Sequence, residues 1–111
     1  MNWNVITEEN HIEEIREKSN DRPQIIFKHS TRCSISSVAK NRLEKANAPE
    51  EIPFHYLDLL SFRPLSNSIA EHFAVEHESP QILVIKDGKC VYDESHMGID
   101  MEEIKDQLQL N

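Results

Sequence analysis

Two cysteines, Cys33 and Cys90, are the side chains of this 111-residue chain that could attack through a thiolate. They are too few for a disulfide scaffold or a four-cysteine metal site, which leaves one disulfide, a reactive thiol, or inert packing. Cys33 lies in the run His29-Ser30-Thr31-Arg32-Cys33-Ser34-Ile35-Ser36, where an apolar stretch ends and helical spacing begins. A thiol at a helix start meets unpaired N–H groups and the positive end of the helix dipole, and both favour the thiolate. Arg32 is adjacent and Lys28 lies upstream. Residues 28 to 45 hold five basic side chains (Lys28, Arg32, Lys40, Arg42, Lys45) against Glu44 alone, a local charge of +4. The expectation is a Cys33 pKa below the ~8.5 of a free thiol. Three residues on, Ser36 stands where a C-x-x-C site carries its second cysteine. Its hydroxyl can donate to the thiolate but cannot resolve a mixed disulfide, so this is a one-cysteine site. Cys90, in the strand-like KCVYD, reads as packing. His29 reads as a strand-end histidine filling space, since four residues bring it onto one face with Cys33 only within a helix.

The elements that must position Cys33 follow from the apolar pattern. Trp3 to Ile6 reads as a short strand, and Thr7 as the N-cap of a helix over about 7–19 that carries Ile12 and Ile15. The run 20–23 breaks it, and QIIFKH (24–29) reads as a strand buried on both faces. Ile35, Val38, Ala39, Leu43 and Ala46 place a helix over about 34–47. A strand over 54–59 and a helix over 64–73 follow. QILVIK and KCVYD flank Asp87-Gly88, a two-residue hairpin signal. Asp100 then caps a last helix through Met101, Ile104 and Leu108. This β-α-β-α-β-α-β-β-α order predicts one α/β domain over 1–111, with a small mixed sheet of four to five strands and helices on both faces. Ligands in such sheets bind beyond the strand ends, which is where Cys33 falls. Ser79-Pro80 immediately precedes QILVIK, where the missing proline N–H cannot join a ladder.

Composition removes several functions. Lys plus Arg is 12 against 20 Asp plus Glu, a net charge of -8, so no basic excess is available to release counterions from phosphate, and nucleic acid is disfavoured. The acidity is uneven: residues 1–60 hold 8 basic and 10 acidic side chains, residues 61–111 hold 4 and 10. Two glycines, Gly88 and Gly98, cannot build a phosphate-cradling loop. Aromatics at 6% are too sparse for a base-stacking surface. The opening MNWNVITEENHIEEI lacks the basic start and apolar stretch of a signal peptide. Apolar runs of about four residues fall far short of the roughly 20 that span a bilayer. These features point to a cytoplasmic protein with no membrane partner, where thiols stay reduced unless redox work uses them.

A buried strand, C-x-x-S at the next helix start, and a proline before the hairpin's first strand together resemble the thioredoxin fold. More specifically, FKHSTRCSIS with VEHESPQILVIKDGKCVYDESH resembles the monothiol bacilliredoxins of the YtxJ type, thioredoxin-like proteins of the bacillithiol redox system, from about Ile25 to the final helix. The resemblance implies that Cys33 is the reactive cysteine of a T-x-C-P-I-S motif and that Pro80 is a cis-proline lying beside it. Ser34 departs from the proline usual after that cysteine and leaves an additional N–H donor near the thiolate. The implied reaction is thiol–disulfide exchange. Cys33 takes bacillithiol, or another low-molecular-weight thiol, from S-thiolated client proteins in the stress response, and needs no metal or organic cofactor. Thr31, Arg32, Ser36, Ser79 and Pro80 would hold the mixed disulfide or stabilise the thiolate. The rival reading is a non-enzymatic thioredoxin-like module for redox sensing or protein binding. Iron–sulfur carriage would want C-G-F-S rather than C-S-I-S, and an arsenate-reductase-like pocket would want clustered arginines.

Overall fold

The computed structural model describes residues 1–108. Five strands, β1 (Trp3–Val5), β2 (Gln24–His29), β3 (Phe54–Asp58), β4 (Gln81–Lys86) and β5 (Lys89–Ser95), form one sheet in the order β1-β3-β2-β4-β5. β1, β3 and β2 run parallel, while β4 and β5 are antiparallel to their neighbours. The helices are α1 (Glu9–Lys18), α2 (Ser34–Lys45), α3 (Arg63–Phe73) and α4 (Met101–Leu108). The mixed sheet with helices on both faces therefore matches the expectation, with the first strand present and the strand count at five.

β2 is central and buried at every position, so alternate side chains feed two cores. Ile25 and Phe27 join Ala39 and Leu43 of α2 and Ile104 of α4 on one face. Ile26 joins Ile12 and Ile15 of α1 and Ile69 and Phe73 of α3 on the other. Trp3 stacks on Phe27 at 5.6 Å between ring centroids and donates its indole N–H to Glu44 at 2.8 Å, tying the edge strand to α2. At the hairpin, Asp87 and Gly88 take φ of 53° and 76°, as a tight primed turn requires.

Several boundaries differ from the sequence expectation. Thr7 does not cap α1. Glu8 occupies the cap without a side-chain bond, and His11 Nδ1 accepts the Thr7 N–H instead, at 3.1 Å. α2 ends at Lys45 rather than 47, because Ala46 turns extended and packs with Ala48 against the core ahead of Pro49, which disfavours helix at the residue before it. β3 stops one residue early, at Asp58. β5 runs two residues further, to Ser95, pairing with Gln81 and Ile82. A short 3-10 turn over His96–Gly98 follows, with no counterpart in the sequence reading.

Candidate active site

β2 carries the chain to the end of the sheet and the polar turn Ser30-Thr31-Arg32 reverses it into α2. Cys33 is the N-cap residue of α2, in extended backbone. Its N–H donates to Ser30 O at 3.1 Å, and its carbonyl accepts the Ser37 N–H at 3.1 Å. The partly exposed thiol closes no capping hydrogen bond of its own. Ionisation is nevertheless favoured. The Ser36 backbone N–H is the chief cause, helped by the Ile35 N–H and the Ser36 hydroxyl, and together they outweigh desolvation and hold Cys33 below its ordinary value. Ser36 is fully buried, and its Oγ accepts the Ser30 N–H at 3.3 Å. That acceptance orients the hydroxyl so that its own proton remains available to the sulfur.

The direction of the Cys33 shift and the part played by the helix N–H groups are as expected, but the basic side chains do not share in it. Lys28 alternates to the opposite face of the sheet and cannot act on the thiol from there. Lys40 pairs with Glu44 at 2.9 Å, and Arg42 reaches Asp100 at 3.8 Å. Arg32 and Thr31 are exposed in the turn, and Arg32 is not among the groups that lower the thiol's pKa. Backbone N–H groups, rather than the basic stretch, tune this cysteine.

Across from this turn lies the segment before β4. Lys28 pairs with Gln81 in the antiparallel ladder, so His29 and Pro80 come side by side at the same sheet end, about 5 Å apart as neighbouring strands are. The Ser79-Pro80 bond is cis, as the resemblance implies. Pro80 is buried, and its carbonyl accepts the His96 N–H at 3.0 Å. Among the described residues, His29 Nδ1, Ser79 Oγ and Gln81 Oε1 are the buried side-chain polar atoms without a partner, and all three lie at this end. His29 packs between Phe27 and Tyr56, at 5.7 and 5.5 Å. Burial, with the Lys40 charge, keeps its pKa low, so it fills space as a neutral ring. An open groove of about 350 Å³ runs beside α2, lined by His29, Thr31, Ser37, Lys40, Asn41, Glu44 and Tyr56.

Cys90 has none of these features. It pairs with Ile85, at the hairpin end of the sheet, and packs into the core on the α1 and α3 side. Five residues of strand separate the level of Ile85 from that of Pro80, roughly 17 Å, against the ~7 Å limit between Cα atoms for a disulfide. Burial pushes the Cys90 thiol up to about 11. No group of three or more His, Cys, Asp or Glu among the described residues is placed to hold a metal ion. The feature missed in the sequence is the cluster of Lys28, Ser66 and His77 on the far face. A lysine directly after the apolar run Ile25-Ile26-Phe27, in a strand buried at every position, is its one visible signal.

The family model for the monothiol bacilliredoxin BrxC matches residues 4–104. A solved structure described as a candidate oxidoreductase with a thioredoxin fold superposes with a TM-score of 0.83 at 26% identity, over 95% of this chain and 92% of that one. Thioredoxin from Malassezia sympodialis, 14% identical, gives 0.74 over 97% and 89%. Thioredoxin from Fasciola hepatica, 18% identical, gives 0.72 over 96% and 97%. With its C-x-x-S helix start, mixed five-stranded sheet and matched residues 4–104, this chain belongs to the monothiol bacilliredoxin BrxC family and has a thioredoxin fold.

Proposed function

We propose that the protein is a monothiol thiol–disulfide oxidoreductase that removes bacillithiol, or another low-molecular-weight thiol, from S-thiolated client proteins in the cytoplasm. One observation carries this reading. A single thiol sits at the N-cap of α2, held toward its thiolate by the N–H groups of Ser36 and Ile35, with a hydroxyl where a resolving cysteine would be and Cys90 at the opposite end and face of the sheet.

The Cys33 thiolate attacks the small-thiol sulfur of the mixed disulfide. The Cys33–sulfur bond forms, the client's sulfur–sulfur bond breaks, and the client cysteine leaves as a thiolate. A second small thiol then attacks the adduct, releasing Cys33 and a symmetric small-molecule disulfide. The chain supplies a tuned nucleophile and a place to lie. Thr31 and the polar groove along α2 flank the incoming thiol, with Arg32 exposed in the same turn, and the Ser79-Pro80 segment borders it on the other side. Exposed Ile35 and Val38 lie on the helix face of Arg42, whose guanidinium donates to Met97 O at 3.5 Å. This apolar group beside the cysteine supports a protein as the client.

The test incubates a bacillithiolated client with wild type and with Cys33→Ser. Release of the client thiol is expected from wild type alone, and equal release by the variant refutes the mechanism. Sustained release with excess bacillithiol separates an enzyme from a redox-sensing module, which would be modified once and stop.

A further inference from the structure

Lys28 is the only fully buried Lys, Arg, Asp or Glu side chain among the described residues. Among the described residues it has no carboxylate partner. Its ammonium donates to Ser66 O of α3 at 3.3 Å and to His77 Nδ1 at 3.3 Å, and Ser66 Oγ lies 3.2 Å from the same imidazole nitrogen. Burying a cation without a counter-ion is unfavourable, and packing between β2 and α3 would be served by methionine or leucine. What the ammonium does that an apolar chain cannot is reach three elements at once: the strand that leads into Cys33, the first turns of α3, and the loop that ends in Ser79-Pro80.

The other ties of that loop run to elements other than β2: His96 N–H donates to Pro80 O at 3.0 Å, and His96 Nε2 lies 3.7 Å from Glu78 Oε2. Val75 N–H donates to Ala70 O at 3.1 Å, and Gln81 Nε2 donates to Glu76 O at 3.0 Å. His77 and Glu78 are exposed. Pro80 lies beside His29 at the strand end, and for the rest of the loop, Glu76 to Ser79, the side-chain hydrogen bond to β2 among the described residues is the one from Lys28 to His77. A disulfide presented to Cys33 must lie against the neighbouring strand end, which is this loop, and exchange needs three sulfurs in line.

We propose that Lys28 is a positioning residue which, through His77, fixes the loop of residues 76–80 against β2 and thereby sets where a disulfide substrate lies relative to Cys33. This rests on the reading of Cys33 as the exchange nucleophile.

The experiment compares two rates on the full chain: exchange with a bacillithiolated client and alkylation by iodoacetamide. Alkylation needs the thiolate but not the loop. Lys28→Met is expected to slow exchange about tenfold or more, as misplacement of reacting atoms does, with alkylation unchanged. His77→Ala, in an exposed loop position, is expected to do the same. His77→Asn, whose side-chain oxygen replaces Nδ1 as acceptor, is expected to restore much of the rate. The double variant Lys28→Met with His77→Ala should be no slower than either single one. Unchanged exchange in both single variants, an equal fall in exchange and alkylation, or additive losses would overturn the proposal while leaving Cys33-dependent exchange by wild type intact. Wild type that fails to exchange at all, or Cys33→Ser that exchanges as fast, would overturn the nucleophile reading and this proposal with it.

Discussion

Replacing Lys28 by Met should make the protein more stable at neutral pH even as it slows exchange. Burial lowers the Lys28 pKa from 10.5 to about 8. At about 1.4 kcal/mol per pKa unit, that corresponds to about 3 kcal/mol by which the folded state disfavours the ammonium relative to the neutral amine. The penalty is fully present below about pH 8, where folded and unfolded chains both carry the proton. It shrinks between about 8 and 10.5, where the folded chain has released its proton and the unfolded chain has not, and it vanishes above. Methionine removes the penalty and also removes the amine's two hydrogen bonds, together worth about 2 kcal/mol net. The acceptors left behind are not orphaned. Ser66 O lies in a helical turn with the Ala70 N–H four residues on, and His77 Nδ1 keeps Ser66 Oγ. The expected gain is about 1 kcal/mol at pH 7, a Tm rise of roughly 4 °C for a domain of this size. Urea denaturation of both proteins from pH 7 to 10.5 is the assay, with the gap closing as pH rises. A less stable Lys28→Met at pH 7, or a gap that ignores pH, refutes the assignment of Lys28 as a costly buried cation.

His55 is buried and its Nε2 lies 2.8 Å from Gln24 Oε1. Burial, then the charges of Lys18 and His11, push its pKa down to about 4. Its contribution to stability is therefore whole above about pH 6.5 and lost progressively as pH falls through 4, about 3 kcal/mol in total, so His55→Gln should flatten that limb of the urea midpoint against pH. Ser36→Ala should raise the pH at which Cys33 ionises, read by thiolate ultraviolet absorbance. Part of the lowering should remain, because the Ser36 backbone N–H survives the change. Iodoacetamide at neutral pH should label Cys33 and spare Cys90, which burial holds near 11, until denaturant exposes it.

Much of the fold was legible because its signals are local. Apolar runs at Ile25–Phe27 and Ile82–Ile85 mark the central strands, Asp87-Gly88 marks the hairpin, and the passage from a strand into Ser30-Thr31-Arg32 puts Cys33 at a helix start. What was not legible is direction. A strand buried on both faces shows no polar alternation, so QIIFKH does not say that Lys28 points away from Cys33, and distance along the chain made it look like an electrostatic neighbour. The same limit hid His77, whose partner is 49 residues away in sequence. The spacing C-x-x-S marks Ser36, but its acceptance of the Ser30 N–H depends on how tightly the turn closes, which no residue type announces. The short turn at His96–Gly98 escaped for a related reason. His96 takes a φ of 54°, held by its N–H bond to Pro80 O, a contact made across the sheet end.

Intact-mass spectrometry of the protein, mixed with one equivalent of a bacillithiolated client and quenched by acid, tests Cys33 as the exchange nucleophile most directly. A single bacillithiol adduct, mapped by peptide fragmentation to Cys33, is expected on wild type and on Cys90→Ser alike. A Cys33–Cys90 disulfide without adduct, or an adduct that persists in Cys33→Ser, would contradict that role.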